Sequence, residues 1–111
     1  MGKLTDLQVV LLDEYYRRER TKEAYKQAIS KCVKGKLIRE IKDGKLFHYL
    51  RWKENGEIKL RELDYDECVS VSASIQEREE LEESLSQNNR DRKMLIKALG
   101  KKLIEEYRNK W

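Results

Sequence analysis

The sequence contains no proline, only five glycines, two cysteines and a single histidine in 111 residues. Charged residues make up 41% of the chain against 39% hydrophobic. High charge with scarce glycine and no proline points to long solvated helices, not to a thick globular core. No apolar run is long enough to span a bilayer, and no secretory signal is visible. The start MGKLTD carries Asp6 where an N-myristoylation signal needs Ser or Thr. A cytoplasmic chain with no membrane partner is therefore expected. Cys32 and Cys68 lack metal-binding spacing, so two buried reduced thiols are expected. The lone His48 has no second histidine, nucleophile or glycine-rich phosphate loop beside it, and residues 77–83 lack the EF-hand pattern. The expectation is a non-enzyme with no metal, cofactor or small-molecule substrate.

What is present centres on Lys36 to Leu63, three apolar-rich runs separated by Asp43-Gly44 and Asn55-Gly56. Both dipeptides accept the positive φ of a tight hairpin turn, so the stretch predicts a three-stranded antiparallel meander over 36–63. A two-residue turn at Asp43-Gly44 pairs Lys42 with Lys45, Ile41 with Leu46, Arg39 with His48 and Leu37 with Leu50. The second turn has two readings. A two-residue Asn55-Gly56 turn opposes Glu54 and Glu57 and puts Lys59 and Arg61 on the Leu37/Trp52 face. A three-residue Glu54-Asn55-Gly56 turn with a bulge pairs Trp52 with Ile58, Leu50 with Leu60 and His48 with Glu62. Because a one-residue slip flips every side chain, the buried face selects the register, and the three-residue turn is preferred. Leu37, Ile41, Leu46, Leu50, Trp52, Ile58 and Leu60 then form a face that both helices are expected to cover. The opposite face presents Lys42, Phe47, Tyr49, Arg51, Lys53, Lys59 and Arg61. Aromatics among cations suit phosphate neutralisation and base stacking. The plain alternative is that the lysines only keep a small sheet soluble and guard its edges.

Helices are expected on both sides. Thr5 with Gln8 reads as a capping box opening a helix over 6–34, with Gly35 as its C′ residue. Leu7, Leu11, Tyr15, Arg18, Lys22, Tyr25, Ile29 and Cys32 form its seam. At about 1.5 Å per residue the helix is about 40 Å long and outruns the strands. After Leu63 two caps compete, Asp64 with Glu67 and the better-matched Ser74 with Glu77, and Cys68–Ala73 alternates as a short strand would. From Ile75 the seam Leu81, Leu85, Asn88, Arg92, Leu95, Leu99 follows coiled-coil spacing with two consecutive polar positions. Asn88 and Arg92 either specify pairing or mark an exposed interruption. Gln87–Asn89 and Gly100 are the places for a break in the helical region 65–110.

The predicted fold class is α+β: a long N-terminal helix, a three-stranded antiparallel β-meander and a long coiled-coil-like helix, in one domain over 1–111. The net charge of +4 is unevenly spread. Residues 34–61 hold nine Lys/Arg against four Asp/Glu, whereas residues 62–91 hold two against ten.

The layout of Lys34-Gly35-Lys36-Leu37, Asp43-Gly44-Lys45, Tyr49-Leu50-Arg51-Trp52 and Asn55-Gly56-Glu57-Ile58-Lys59 resembles a group of small proteins of bacteria, phages and mobile elements. In that group a Gly-led strand, an aromatic-rich strand and a basic strand lie between two coiled-coil-like helices. The resemblance covers residues 10–99 and favours the early start of the final helix. It departs at Asn88 and Arg92, where the group keeps Leu or Ile, and at the serine-rich VSVSAS. Three strands followed by a helix also resemble the arm-type DNA-binding domain of tyrosine integrases. The partner this implies is nucleic acid, bound through the sheet. The mobile-element setting implies an alternative, a phage-encoded inhibitor of a host defence nuclease complex, as anti-CRISPR proteins are. A coiled-coil adaptor that forms a homodimer through its helices is the third reading.

Overall fold

A computed structural model describes residues 3–111. Its elements are α1 (Asp6–Ser30), β1 (Lys36–Lys42), β2 (Lys45–Glu54), β3 (Glu57–Leu63), α2 (Tyr65–Leu99) and α3 (Lys101–Glu106), followed by a 3₁₀ turn at Arg108–Lys110. The fold is α+β as the sequence predicts: a long helix, a three-stranded antiparallel sheet in the order β1-β2-β3, and a second long helix.

The start of α1 follows its capping box. The Gln8 N–H donates to Thr5 Oγ1 at 3.1 Å, and the Thr5 N–H donates to Gln8 Oε1 at 2.9 Å. The helix stops at Ser30, short of the expected Lys34. The residues beyond it are claimed by α2. The Val33 N–H donates to Ser74 Oγ at 2.9 Å, and the Arg78 guanidinium donates to the Val33 and Gly35 carbonyls at 2.7 and 3.0 Å. Gly35 is therefore no helix cap. It has φ +109°, and a Cβ there would lie 2.2 Å from the Arg51 carbonyl oxygen. Only glycine allows that approach of two backbones.

Both hairpin turns are two-residue turns with positive φ at each central residue: 51° and 76° at Asp43-Gly44, 52° and 79° at Asn55-Gly56. This is the I′ geometry, whose twist matches that of the flanking strands. The first hairpin has the predicted pairs, from Leu37 opposite Leu50 to Lys42 opposite Lys45. The second does not have the preferred three-residue turn. Glu54 opposes Glu57, Trp52 opposes Lys59, Leu50 opposes Arg61 and His48 opposes Leu63. The like charges are relieved locally, since Glu57 pairs with Lys59 at 3.2 Å and Glu54 accepts the Trp52 indole N–H at 3.2 Å. Ile58 and Leu60 consequently stand on the outer face, 60% and 61% exposed.

The sheet leads straight into α2. Asp64 Oδ1 accepts the Glu67 N–H at 2.8 Å, and the Asp64 N–H donates to Glu67 Oε1 at 3.3 Å. This earlier box is the one used, so Cys68–Ala73 is helical and Ser74 sits within the helix. The Arg61 guanidinium also donates to Glu67 and, with the Asp64 backbone, holds that carboxyl below the usual carboxylate range. The helix runs unbroken through Gln87–Asn89 and ends before Gly100, at φ +85°.

The chain forms two compact units, one of Ala28–Leu81 and one of the residues to Gln27 with Glu82–Trp111. The first is built around buried Leu50, Leu63, Cys68 and Val71, with Val33, Leu37, Trp52 and Ile75 against them. The start of α2 thus covers Leu37, Leu50 and Trp52 of the predicted inner face, whereas Ile41 and Leu46, toward the first turn and also expected under cover, are 74% and 56% exposed. Cover from α1 was also expected, but no α1 side chain belongs to this cluster. Leu60 is not part of the covered face, because the register turns it outward. The second unit is built around Leu12, Tyr15, Tyr16 and Ile104, with Leu95, Leu99 and Tyr107 packed on them. The Tyr16 hydroxyl donates to the Ile104 carbonyl, and burial raises its pKa above 10.0. Both cysteines are free and buried.

Candidate binding face on the outer sheet

Side chains alternate across a pleated sheet, so the register decides which residues share its outer face. Along β2 the outward positions are Lys45, Phe47, Tyr49, Arg51 and Lys53. From β1 they are flanked by Lys36, Ile38, Glu40 and Lys42, and from β3 by Ile58, Leu60 and Glu62. Of the residues predicted to lie on this face, Lys42, Phe47, Tyr49, Arg51 and Lys53 do so. Lys59 and Arg61 do not. The two-residue second turn rotates them to the inner face, where Lys59 meets Glu57 and Arg61 meets Glu67. Lys36 and Lys45, opposite Arg51 and Lys42, take their place. Their pairing was legible in the first hairpin register, but both sit at strand ends where a count along the middle of the runs passes over them.

Five cations and two carboxylates thus surround a centre of Phe47, Tyr49 and three aliphatic side chains. Phe47 and Tyr49 are half-buried, and Lys36, Lys45, Arg51 and Lys53 are exposed. The cations gather at the two ends of β2. Lys42 and Lys45 lie beside the first turn, and Lys36, Arg51 and Lys53 lie beyond Tyr49. Glu40 and Glu62 sit beside the aromatic pair, opposite Phe47 and Tyr49. Lys42 Nζ is 3.6 Å from Glu40 and 6.0 Å from the centre of the Tyr49 ring. A shallow concavity of about 400 Å³ lies between Ile38, Tyr49, Arg51, Ile58 and Leu60. A second, of about 480 Å³, lies between Gly35, Lys36, Arg51, Lys53 and Ile58. Arg51 and Ile58 line both.

His48 faces inward across from Arg39 and Leu63, without the Glu62 partner the preferred register gave it. Its Nδ1 is buried and finds no hydrogen-bond partner among the described residues. Among the described residues no group of three His, Cys, Asp or Glu is placed to hold a metal, and no helix is long and apolar enough to cross a membrane.

Of the predicted helix seam, Asn88, Arg92, Leu95 and Leu99 of α2 meet α1 within the chain. Leu95 and Leu99 pack on the Leu12/Tyr16 cluster, while Leu81 and Leu85 are half-buried. Asn88 is 4% exposed, and its amide donates to the Arg18 carbonyl at 3.0 Å. Arg18 donates to Asp91 at 3.0 Å. Arg92 lies over the Tyr15 ring at 5.6 Å and 3.7 Å from the Glu19 carboxylate. The two polar seam positions are therefore packed against α1 and are not an exposed interruption.

No protein-family model, curated protein or solved structure matches this chain.

Proposed function

We propose that the chain is a non-enzymatic binding module that takes nucleic acid on the outer face of its sheet. The observation that carries this reading is the one-sided gathering of Lys36, Lys42, Lys45, Arg51 and Lys53 around accessible Phe47 and Tyr49. Cations neutralise phosphates and release counterions, and the rings offer apolar planes to bases. The middle of the inner face is packed under the start of α2, and its Lys59 and Arg61 pair with Glu57 and Glu67.

Gel-shift titration at two salt concentrations tests the reading. If all five cations engage a single strand, log K should fall against log salt with a slope of about −3.5. Arg51→Ala should weaken binding and flatten that slope by about 0.7, with the fold intact. Folded protein that retards no nucleic acid at low salt would sink the proposal.

A second reading is favoured by Ile58 and Leu60, which are aliphatic and mostly exposed on the same face. Exposed aliphatic groups rimmed by charge suit a protein partner. In that reading the chain is an inhibitor of phage type that docks on a host nuclease complex. A stoichiometric protein that survives nuclease treatment in an affinity pull-down, and is lost in Ile58→Asp, would favour it.

A further inference from the structure

The arrangement of charge and rings on the outer face bears on which form of nucleic acid fits it. This step rests on the nucleic-acid reading above. Phe47 and Tyr49 project from the same side of the central strand, two residues and so about 7 Å apart. In a duplex the base planes are covered by their neighbours in the stack. Only an unpaired base can lay its plane on an aromatic ring. Two rings side by side on one strand are thus of use to a single strand and of little use to a duplex.

The charges agree with this. The cations stand at the two ends of the aromatic pair, with Lys42 and Lys45 at one and Lys36, Arg51 and Lys53 at the other. One cross-strand neighbour of each ring is acidic, Glu40 next to Phe47 and Glu62 next to Tyr49, with Ile38 on the other side of Tyr49. A sugar-phosphate backbone crossing the middle of the sheet would meet both carboxylates. A strand that runs along β2 meets cations first, lays bases over the rings, and meets cations again. The carboxylates then face base edges, where they accept hydrogen bonds from amino groups. Lys42 lies at the outer limit of cation–π range from Tyr49, and the half-buried ring keeps accessible surface.

We infer that the outer sheet face is a single-strand site, with Phe47 and Tyr49 each stacking one base and the lysines and Arg51 holding the phosphates on either side. DNA and RNA share this chemistry, and the experiment separates them.

The test is fluorescence anisotropy on the full chain at low salt with one labelled sequence in three forms: single-stranded DNA, single-stranded RNA and the annealed DNA duplex. Either single strand should bind at least about tenfold more tightly than the duplex, the size expected from stacking. The double variant Phe47→Leu with Tyr49→Leu keeps apolar bulk and removes the rings. It should lose at least about tenfold on the single strand and leave duplex binding unchanged. Phe47→Tyr with Tyr49→Phe should bind as the unaltered chain does. Equal or tighter duplex binding overturns the inference and leaves the broader reading standing. So does full single-strand binding in the double Leu variant. Binding of none of the three forms by folded protein overturns both. The comparison on the unaltered chain needs no variant to fold, and a preference for DNA or RNA between the single strands names which the site takes.

Discussion

Asn88 on α2 donates its side-chain amide to the backbone carbonyl of Arg18 on α1, at 3.0 Å, and is almost fully buried there. The Arg18 side chain in turn donates to Asp91, one helical turn on from Asn88. A buried amide that lacks a partner is costly, so this pair fixes how the two helices slide against each other. Asn88→Ala should lower stability by about 1–2 kcal/mol, read by urea denaturation. Asn88→Leu, which restores the hydrocarbon expected at a seam, should leave the helices paired but less sharply registered. Broadened amide resonances along Leu85–Leu99 would report that loss, and unchanged spectra would show that the hydrogen bond does not set the register.

Leu50, Trp52 and Arg51 separate the two faces of β2. Leu50 is buried among Leu63, Cys68 and Val71, and Leu50→Ala should cost about 2–4 kcal/mol. Trp52 packs on the same cluster but is half-exposed, so Trp52→Ala should cost about 2–3 kcal/mol. Arg51→Ala lies on the outer face and should stay within about 0.5 kcal/mol. Thermal melts that rank Arg51 above Leu50 would mean that the inner and outer faces are exchanged.

Gly35 and Gly44 both have positive φ, yet they differ in surroundings. A Cβ at Gly44 meets nothing within 4 Å, so Gly44→Ala should cost about 1 kcal/mol from backbone strain alone. At Gly35 the same atom collides with the Arg51 carbonyl. Gly35→Ala should cost at least about 3 kcal/mol, because strain and overpacking add. Equal effects in chemical denaturation would contradict the close approach of these backbones.

The Glu67 carboxylate is favoured in the folded state by Arg61 and by the Asp64 N–H, which lowers its pKa from 4.5. A lowered folded-state pKa stabilises the fold above the unfolded value and is lost as pH falls through the folded one. The contribution is therefore intact at neutral pH and declines below about pH 4.5. Glu67→Gln should melt lower than the unaltered chain at pH 7, and the difference should shrink on acidification. A constant gap between the two melting curves across that range would exclude the charged cap.

The parts of this fold that read correctly from sequence are those decided by near neighbours. Thr5 with Gln8 and the Asp43-Gly44 turn each act within a few residues. At the start of α2 local pattern ranks the Ser74 box above Asp64 with Glu67, yet the Asp64 box is the one formed. The second hairpin misleads because two rules conflict at Asn55-Gly56. Burial of Ile58 and Leu60 argues for a bulged turn, whereas the backbone preference of Asn-Gly argues for I′. The backbone preference wins, since Leu63 alone supplies the buried contact from β3 and the inward cations find carboxylates at the rim. That one step exchanges Lys59 and Arg61 for Ile58 and Leu60 on the outer face. The early end of α1 is likewise out of reach of local pattern, because Arg78 and Ser74 bind the Val33–Gly35 backbone from more than forty residues away.

The unit Ala28–Leu81 lies in the chain between the two segments that make the other unit. Its contacts close over short turns, while α1 must wait for Glu82–Trp111 to find Leu12 and Tyr16 a partner. Joining distant segments carries a larger entropic cost than closing hairpins. The meander should therefore gain protection first and the terminal helices last, an order that pulse-labelled hydrogen exchange during refolding would read. During synthesis α1 would spend most of that time as an unpaired helix with Leu12, Tyr15 and Tyr16 uncovered, open to whatever receives a nascent chain.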